Sequence, residues 1–328
     1  MKKKMLATTA LLISLSFVIL AQTPLDPIIA KFNDGAAKVN ASDFKTAIAD
    51  FEEVIVLAEK VGPTANDLKT KAQTQLPVLY YQVASAAMKA KKFDEAIPNL
   101  EKTIELADLY ANNAPTKEKA VKYLPALLTG VGSQKFKEKS YPEALAKFDE
   151  ALKYDANYGK AFLGKGLVYA DQFKEKEMLD NLGKAIELSK AAADAKTVEQ
   201  AQIRLGLYYV TQGNINLSEV DPEDIDYEPA IASFEKAITF NPAAADPYYM
   251  LALIWNKSDA FDKAIENGTK ALLYETDPNK IAAINFELGT AYVGNVEYTL
   301  ACEAFNKAMV GTLSEKAQTK KEKVPGCN

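Results

Sequence analysis

A short pattern of apolar residues recurs along this chain and limits the folds that are open to it. The clearest copy runs from Ala245 to Pro278 without an insertion. Within it, Phe261 is followed by Ala264 and Ala271. A repeat of about 34 residues is typical of stacked supersecondary units, each too small to bury its own apolar face. The chain is therefore predicted to form an array whose units depend on their neighbours.

The small residue of the pattern can be followed through seven copies. It lies at Ala47, Ala96, Ala144, Met178, Ala230, Ala264 and Ala301. Around it the apolar residues are three and four positions apart, as in Ala144, Phe148 and Ala151, which places them on one face of an α-helix. Another helix precedes it, marked by a small residue beside a ring, as in Gly289 and Tyr292. The pattern predicts seven helix pairs.

Composition and spacing agree with an extended helical array. The chain has 328 residues, of which 48% are apolar, enough for a long continuous core. Alternating Val, Ile and Thr runs between turn signals are nearly absent, so the fold class is predicted to be all-α. The first three units are 49 and 48 residues apart, which predicts longer helices or extra turns there, with breakers at 61–64 and 111–115.

These residues resemble the tetratricopeptide repeat (TPR) family. That family places Trp, Leu-Gly and Tyr on the first helix of each unit and Ala, Phe and Ala on the second. Here Leu288, Gly289 and Tyr292 are followed by Ala301 and Phe305. The resemblance extends over nearly the whole chain after its first residues and is closest in the last three units.

The resemblance implies a right-handed α-solenoid of about seven antiparallel pairs over residues 22–313, with residues 314–328 as a C-terminal cap. Three positions depart from the family pattern. Gly268 stands where the sixth unit should carry an aromatic residue, Met178 replaces the second-helix Ala of the fourth, and Pro98 lies inside a second helix.

Residues 1–21 have the composition of a bacterial secretory signal peptide. Three lysines follow Met1, an apolar core runs from Leu6 to Leu20, and Ala21 precedes a plausible cleavage point before Gln22. The apolar run is shorter than the ~20 residues of a spanning helix, and Gln22 stands where a lipoprotein would need cysteine. We therefore expect an exported, periplasmic protein with no membrane span after the signal is removed.

Charge and residue usage exclude several function classes. The formal charge is −5, and removal of Lys2, Lys3 and Lys4 would make it −8, a poor match for nucleic acid. The chain contains no histidine, so Ser-His-Asp and Cys-His arrangements cannot form, and the usual catalytic zinc sites lack their imidazole ligand. We expect no catalytic residue, no metal and no cofactor.

An insertion of about 12 residues is expected between the two helices of the fifth unit. Over residues 214–226 it carries an acidic cluster, but the order of an EF-hand loop is absent. The default interpretation is a solvated loop, and a contact surface remains open because long loops often bind.

The two cysteines, Cys302 and Cys327, both lie near the C-terminal end. Cys302 follows Ala301 at a position that is Ile or Leu in the other units, as at Ile48, Ile97, Leu145, Ile231 and Ile265, which predicts a core position. An intramolecular disulfide would hold the segment from Ser314 onward across the last helix pair. Two free thiols, or an intermolecular bond through Cys327, are the alternatives.

In the resembling family, the fifth, ninth and twelfth positions of the first helix face an inner groove that receives a peptide or partner helix. The resemblance therefore implies partner contacts at Phe32, Tyr81, Leu163, Ile203, Tyr249 and Phe286 (fifth), Leu253 (ninth), and Met88, Phe136 and Val210 (twelfth). This apolar stripe fits an extended segment or an amphipathic helix. An error of one residue in the register would return many of these side chains to the core.

Two functions follow as hypotheses. The preferred one is a non-enzymatic scaffold of the cell envelope that binds another protein in its groove. The alternative is a carbohydrate- or small-ligand-binding accessory protein that stacks its ligand on Tyr80, Tyr81, Tyr248, Tyr249 or Trp255.

Overall fold

The structure is a computed structural model that describes residues 23–219 and 226–327. In these ranges the secondary structure consists of α-helices and short 3-10 helices, with no strand, which confirms the predicted all-α class. The α-helices are α1 (Asp26–Asn40), α2 (Phe44–Val61), α3 (Asn66–Lys89), α4 (Phe93–Leu109), α5 (Ala114–Lys137), α6 (Tyr141–Tyr154), α7 (Gly159–Asp171), α8 (Glu175–Ala191), α9 (Ala195–Ser218), α10 (Glu228–Phe240), α11 (Ala245–Lys257), α12 (Phe261–Tyr274), α13 (Pro278–Gly294), α14 (Tyr298–Ala308) and α15 (Ser314–Lys321). The predicted signal segment and most of the acidic cluster lie outside the described residues.

The first fourteen helices form the seven predicted pairs, from α1 with α2 to α13 with α14. Contacts between residues group the chain into two compact units, 1–127 and 128–328, with the boundary inside α5. The first unit has a core around Phe51 and Leu76. The second has several linked clusters, built around residues such as Leu182, Phe234 and Phe305.

The turn between the two helices of a pair is held by backbone hydrogen bonds. One residue in it adopts a positive φ, at Ser42, Lys91, Lys139, Phe173, Asp259 and Val296, while the α9–α10 connection includes residues outside the described ranges. The next residue donates its N–H to a carbonyl five residues earlier, as from Ala260 to Trp255 at 2.8 Å. This is the Schellman arrangement, which ends one helix within three residues of the start of the next. Turns this short make the two helices antiparallel neighbours.

Five of the pairs contain a close contact between a glycine of the first helix and a large side chain of the second. A Cβ added to Gly132 would lie 2.7 Å from the buried ring of Phe148, and one on Gly289 would lie 2.7 Å from that of Phe305. The same spacing of sixteen residues joins Gly35 to Phe51 and Gly166 to Leu182. The glycine therefore sets how closely the two helix axes approach.

The fifth unit departs from the register that the sequence predicted. Phe234 packs on Gly213, twenty-one residues earlier, whereas the predicted register places Gly206 opposite it. Gly213 therefore takes the eighth position of the unit, and Val210, not Ile203, takes the fifth. The prediction that an insertion of about 12 residues lies between the two helices of this unit was wrong. Seven of these residues belong to α9, which is longer than predicted, and five lie in the connection between α9 and α10.

This correction shows that α9 is the third member of a set of long first helices. The helices α3, α5 and α9 each have 24 residues. They carry buried residues at the same places, with Ala72, Ala120 and Ala201 seventh and Leu76, Leu124 and Leu205 eleventh. Each follows one of the three longest second helices, α2, α4 and α8. The wide spacing of the early units therefore arises from longer helices, and the same lengthening recurs before the fifth unit.

The three departures from the family pattern are accommodated within helices. A Cβ on Gly268 would lie 2.7 Å from Cδ2 of Leu288, so this leucine fills the space of the missing ring. Met178 is buried at the position of the usual alanine. Pro98 lies within α4, which continues past it to Leu109.

The C-terminal segment packs on the last pair. The helix α15 contacts α14, and Ala317 and Val324 join a cluster with Phe286 and Phe305. The ammonium of Lys316 lies 4.6 Å from the centre of the Phe286 ring. The Sγ atoms of Cys302 and Cys327 are adjacent and their Cα atoms are 5.5 Å apart, a separation that a disulfide can bridge.

None of the helices in the described ranges combines the length and the apolar character that crossing a bilayer requires.

The corrected register predicts opposite effects for two glycine-to-alanine changes. Gly213→Ala places a Cβ 2.6 Å from the Phe234 ring and should lower the free energy of unfolding by about 1–3 kcal/mol. Gly183→Ala in α8 meets no atom within 4 Å and should raise it by up to ~1 kcal/mol. Urea unfolding of both variants tests this. If Gly213→Ala is as well tolerated as Gly183→Ala, the register is wrong.

The proximity of the two cysteines predicts a disulfide that stabilises the cap. Purified protein denatured without reductant should show no free thiol, and two after reduction. Loss of the bond in Cys327→Ser should lower the free energy of unfolding by about 3 kcal/mol, because the bond closes a loop of 25 residues. Free thiols in the unreduced protein, or a reduced protein as stable as the oxidised one, would contradict this.

Candidate partner-binding groove

Successive pairs contact each other mainly through a second helix and the first helix that follows it, and some first helices also contact each other directly. In the first compact unit α1 contacts α3, and in the second α7 contacts α9 and α11 contacts α13. Second helices of successive pairs make no comparable contact within the described ranges. A curved stack of helix pairs presents the face of its first helices as its inner surface, where repeat proteins bind extended ligands.

A cavity of about 280 Å³ opens on this face between α9, α11 and α13. Its apolar lining includes Val210, Tyr249, Met250 and Ile284. Its polar lining comes from Asn214 and from the charged residues Asp246, Glu275 and Lys280. In the corrected register Val210 and Tyr249 are the fifth-position residues of neighbouring units, so the cavity lies where the repeat pattern predicts a groove.

The charged residues are placed by the start of α13. Asp277 is the N-cap of this helix and accepts from the backbone N–H of Asn279 at 2.7 Å and of Lys280 at 3.3 Å, with Pro278 at the first helical position. Lys280 thus lies in the first turn, and its Nζ is 2.7 Å from Oδ1 of Asp246 on α11.

Glu275 is held just before that turn. Its Oε1 accepts from the backbone N–H of Thr276 at 2.8 Å and of Asp277 at 2.9 Å. Its side chain is only 11% exposed, and Oε2 is 3.8 Å from Nζ of Lys280, beyond hydrogen-bond distance. The cavity therefore has a fixed, largely buried carboxylate on one side.

Negative charge dominates the electrostatics of the cavity. The hydrogen bond to Asp246 raises the pKa of Lys280, and the charges of Asp246, Glu275 and Asp277 act in the same direction, against burial. Burial raises the pKa of Tyr249, and the charge of Glu287 adds to this. Glu287 is fixed by Asn256, whose Nδ2 donates to its Oε2 at 2.9 Å.

A second cavity, of about 400 Å³, lies between α7, α8 and α9. Its lining is mainly apolar and includes Phe173, Met178, Leu207 and Ile215. Phe173, in the α7–α8 turn, is 94% exposed. Large apolar side chains at four- and eight-residue intervals on α9 are also exposed, at Ile203, Leu207 and Ile215. The apolar surface therefore extends from this cavity along α9.

Each of the two cavities is lined by a cation that lies near an aspartate of the preceding first helix. Arg204 on α9 and Lys280 on α13 each lie six residues before the fifth-position residue of their unit. Arg204 lies 3.8 Å from Asp171 on α7, just as Lys280 pairs with Asp246 on the first helix before its own. Burial raises the pKa of Tyr208 in this second cavity, and a hydrogen bond with Glu175 adds to that rise.

The structure brings together two of the predicted contact residues, Val210 and Tyr249, in one cavity. Leu253 is half-buried one turn after Tyr249 on α11. Ile203 is exposed but lies two turns before the fifth position of its unit. Leu163 and Phe286 are 7% and 6% exposed and serve the packing between helices.

The other predicted residues are half-buried and lie elsewhere. Phe32 packs edge-on against Phe51, with ring centres 5.3 Å apart. Phe136 lies 6.2 Å from the ring of Tyr141. Tyr81 and Met88 lie on α3 in the first compact unit. None of these four lines the cavities of the second unit.

The sequence did not point to the charged residues of the groove. Asp246 and Lys280 look like ordinary surface residues, because nothing in the repeat pattern marks them. The one available signal was Asp277 followed by Pro278, which predicts the start of a helix and so fixes where Lys280 lies.

Three of the five rings named for the carbohydrate alternative, Tyr80, Tyr248 and Trp255, make contacts within the protein. Tyr248 is buried and stacks on Tyr274 at 6.0 Å. The Lys263 ammonium lies 4.1 Å from the Trp255 ring, and the Tyr80 hydroxyl donates to Glu52 at 2.9 Å. Tyr248 and Trp255 also line a cavity of about 320 Å³, so the carbohydrate alternative stays a prediction.

The family pattern is present in space as well as in sequence. In five pairs a glycine of the first helix meets a large side chain of the second, sixteen residues later in four of them and twenty-one residues later in the fifth unit. The chain has a TPR-like fold of helix pairs. The seven pairs, with the glycine contacts within five of them, carry this conclusion.

Comparison with known proteins gives related architectures. No protein-family model matches the chain, and no curated protein sequence matches it. Among solved structures it is similar to a MamA protein, with 25% identity over 62% of this chain and 94% of that one, at a TM-score of 0.35.

Two further structures are described as TPR proteins. YrrB, a TPR protein with an unusual peptide-binding site, is 19% identical over 63% of this TPR-like chain and 98% of its own, at a TM-score of 0.35. The TPR2AB domain of yeast Sti1, in complex with pHSP90, is 16% identical over 90% and 95%, at a TM-score of 0.36.

Proposed function

We propose that this chain is a non-enzymatic scaffold that holds a segment of another protein against the first helices of its second compact unit. The cavity between α9, α11 and α13 is the proposed centre of the contact. The observation that carries the proposal is the convergence of Val210 and Tyr249, both at the groove position of their units, on one cavity with apolar and charged lining.

The size of the cavity favours a side chain as its occupant. At about 280 Å³ it falls just below the range of typical small-molecule sites. It is open to the first-helix face, where an extended or helical segment could insert one residue and continue over the neighbouring helices. The exposed apolar side chains of α9 and the α7–α8 turn offer a second contact for the same segment.

We propose further that the protein acts in the cell envelope. The first 21 residues support this because they have the composition of a signal peptide. The adjacency of Cys302 and Cys327 supports it as well, because structural disulfides persist mainly in oxidising compartments. A scaffolding role is also consistent with a chain that lacks histidine.

A photo-crosslinking amino acid placed at Tyr249 tests the groove. In cells, it should give a covalent adduct with one partner, whereas the same group at Leu273, an exposed apolar residue on the second helix α12, should not. Met250→Asp in the Tyr249 crosslinking protein should abolish the adduct by placing a charge in the cavity. Equal adducts at both positions, or none at Tyr249, would refute the groove.

Export is tested by the N-terminus of the mature protein. Protein isolated from the envelope fraction should begin at Gln22, and replacing Lys2, Lys3 and Lys4 by Glu should retain the precursor in the cytoplasm. A protein that keeps Met1 and fractionates with the cytoplasm would contradict the proposed location without affecting the groove.

A further inference from the structure

We infer that the partner segment carries a Lys or Arg next to the apolar residue that it inserts, and that this cation replaces Lys280 beside Asp246 and Glu275. The inference rests on the proposed function, because it names the chemistry of the segment held in the α9–α11–α13 cavity. It follows from the charges around that cavity.

Carboxylates outnumber cations around the cavity. Asp246 and Glu275 line it, Asp277 acts on Lys280, and Glu287 acts on Tyr249. Among the lining residues the single cation is Lys280. An acidic partner segment would therefore meet net repulsion, whereas a basic one would meet attraction.

One ammonium does not satisfy the two lining carboxylates. Lys280 bonds Asp246 at 2.7 Å but stays 3.8 Å from Glu275. Glu275 cannot turn away easily, because its other oxygen is held by two backbone N–H groups and its side chain is largely buried. A guanidinium could donate to both carboxylates at once, since its donors are spread in a planar fork.

Lys280 is suited to be displaced. Its side chain is 54% exposed and its partner Asp246 is 53% exposed, so the pair is a surface ion pair of small net stability. The flexible lysine stem lets the ammonium move into solvent while its backbone stays fixed in the first turn of α13. In the free protein Lys280 would thus hold the place that a partner cation takes in the complex.

Two labelled peptides test this with the full mature protein. Both share one apolar face of Leu and Ala and are blocked at both ends, and their polar positions are all Lys in one and all Glu in the other. Fluorescence anisotropy should show the Lys peptide binding at least about tenfold more tightly than the Glu peptide, with the difference shrinking as salt increases.

Variants at the cavity separate this site from general attraction to an acidic protein. Asp246→Asn and Glu275→Gln should each weaken binding of the Lys peptide about three- to tenfold, and Lys280→Ala should strengthen it. Glu266→Gln is the matched control, because Glu266 also pairs with a lysine at 2.7 Å but lies on α12. It should leave binding of both peptides unchanged.

The outcomes distinguish the inference from the proposed function. Tyr249→Ala should weaken whichever peptide occupies the cavity. If both peptides bind equally and both respond to Tyr249→Ala, the groove stands and the basic partner is wrong. If the Lys peptide does not bind, if Lys280→Ala weakens it, or if Glu266→Gln acts like Asp246→Asn, the inference also fails. If the affinity for the peptides is unchanged in Tyr249→Ala, the proposed groove itself is wrong.

Discussion

The fold depends on one repeated contact, in which a small residue of a first helix lies against a large side chain of the second. Because the added Cβ would fall within 3 Å of the ring at Gly132, Gly213 and Gly289, no larger residue fits without movement of the helices. The contact fixes the spacing within a pair, and successive pairs then pack through a second helix and the next first helix, with further contacts between some first helices. A groove on the face of the first helices is the geometric result of this packing.

The charged part of the groove has a different origin. It arises where the N-cap of α13 and the connection from α12 bring Glu275 and Lys280 next to Asp246 on α11. None of these residues serves the apolar core, so the array would fold with other residues there. The repeat thus supplies the apolar fifth-position residues of the cavity, and the short segment between α12 and α13 supplies charged residues beside them.

The sequence predicted the helical class and the seven pairs, because apolar spacing along a helix is set by its geometry. Cys302, predicted as a core position, is half-buried and packs against the core of the last pair. The sequence placed α9 wrongly because Gly206 and Gly213 are seven residues apart and lie on the same helix face, so either fits the pattern. Only the contact with Phe234 distinguishes them. Tyr249 could be placed at the fifth position of its unit from the register, and it lines the cavity between α9, α11 and α13. Asp246 and Glu275 could not be predicted there, since their proximity depends on how three separate elements meet.

The long helices α3, α5 and α9 show where this architecture accepts changes in length. Each is extended at its start and follows one of the three longest second helices. In all three, the fifth-position residue lies three residues before the small residue that faces the second helix, at Tyr81 and Ala84, Thr129 and Gly132, and Val210 and Gly213. Added helical turns can therefore change the length of a repeat without changing the spacing on which the packing within a pair depends.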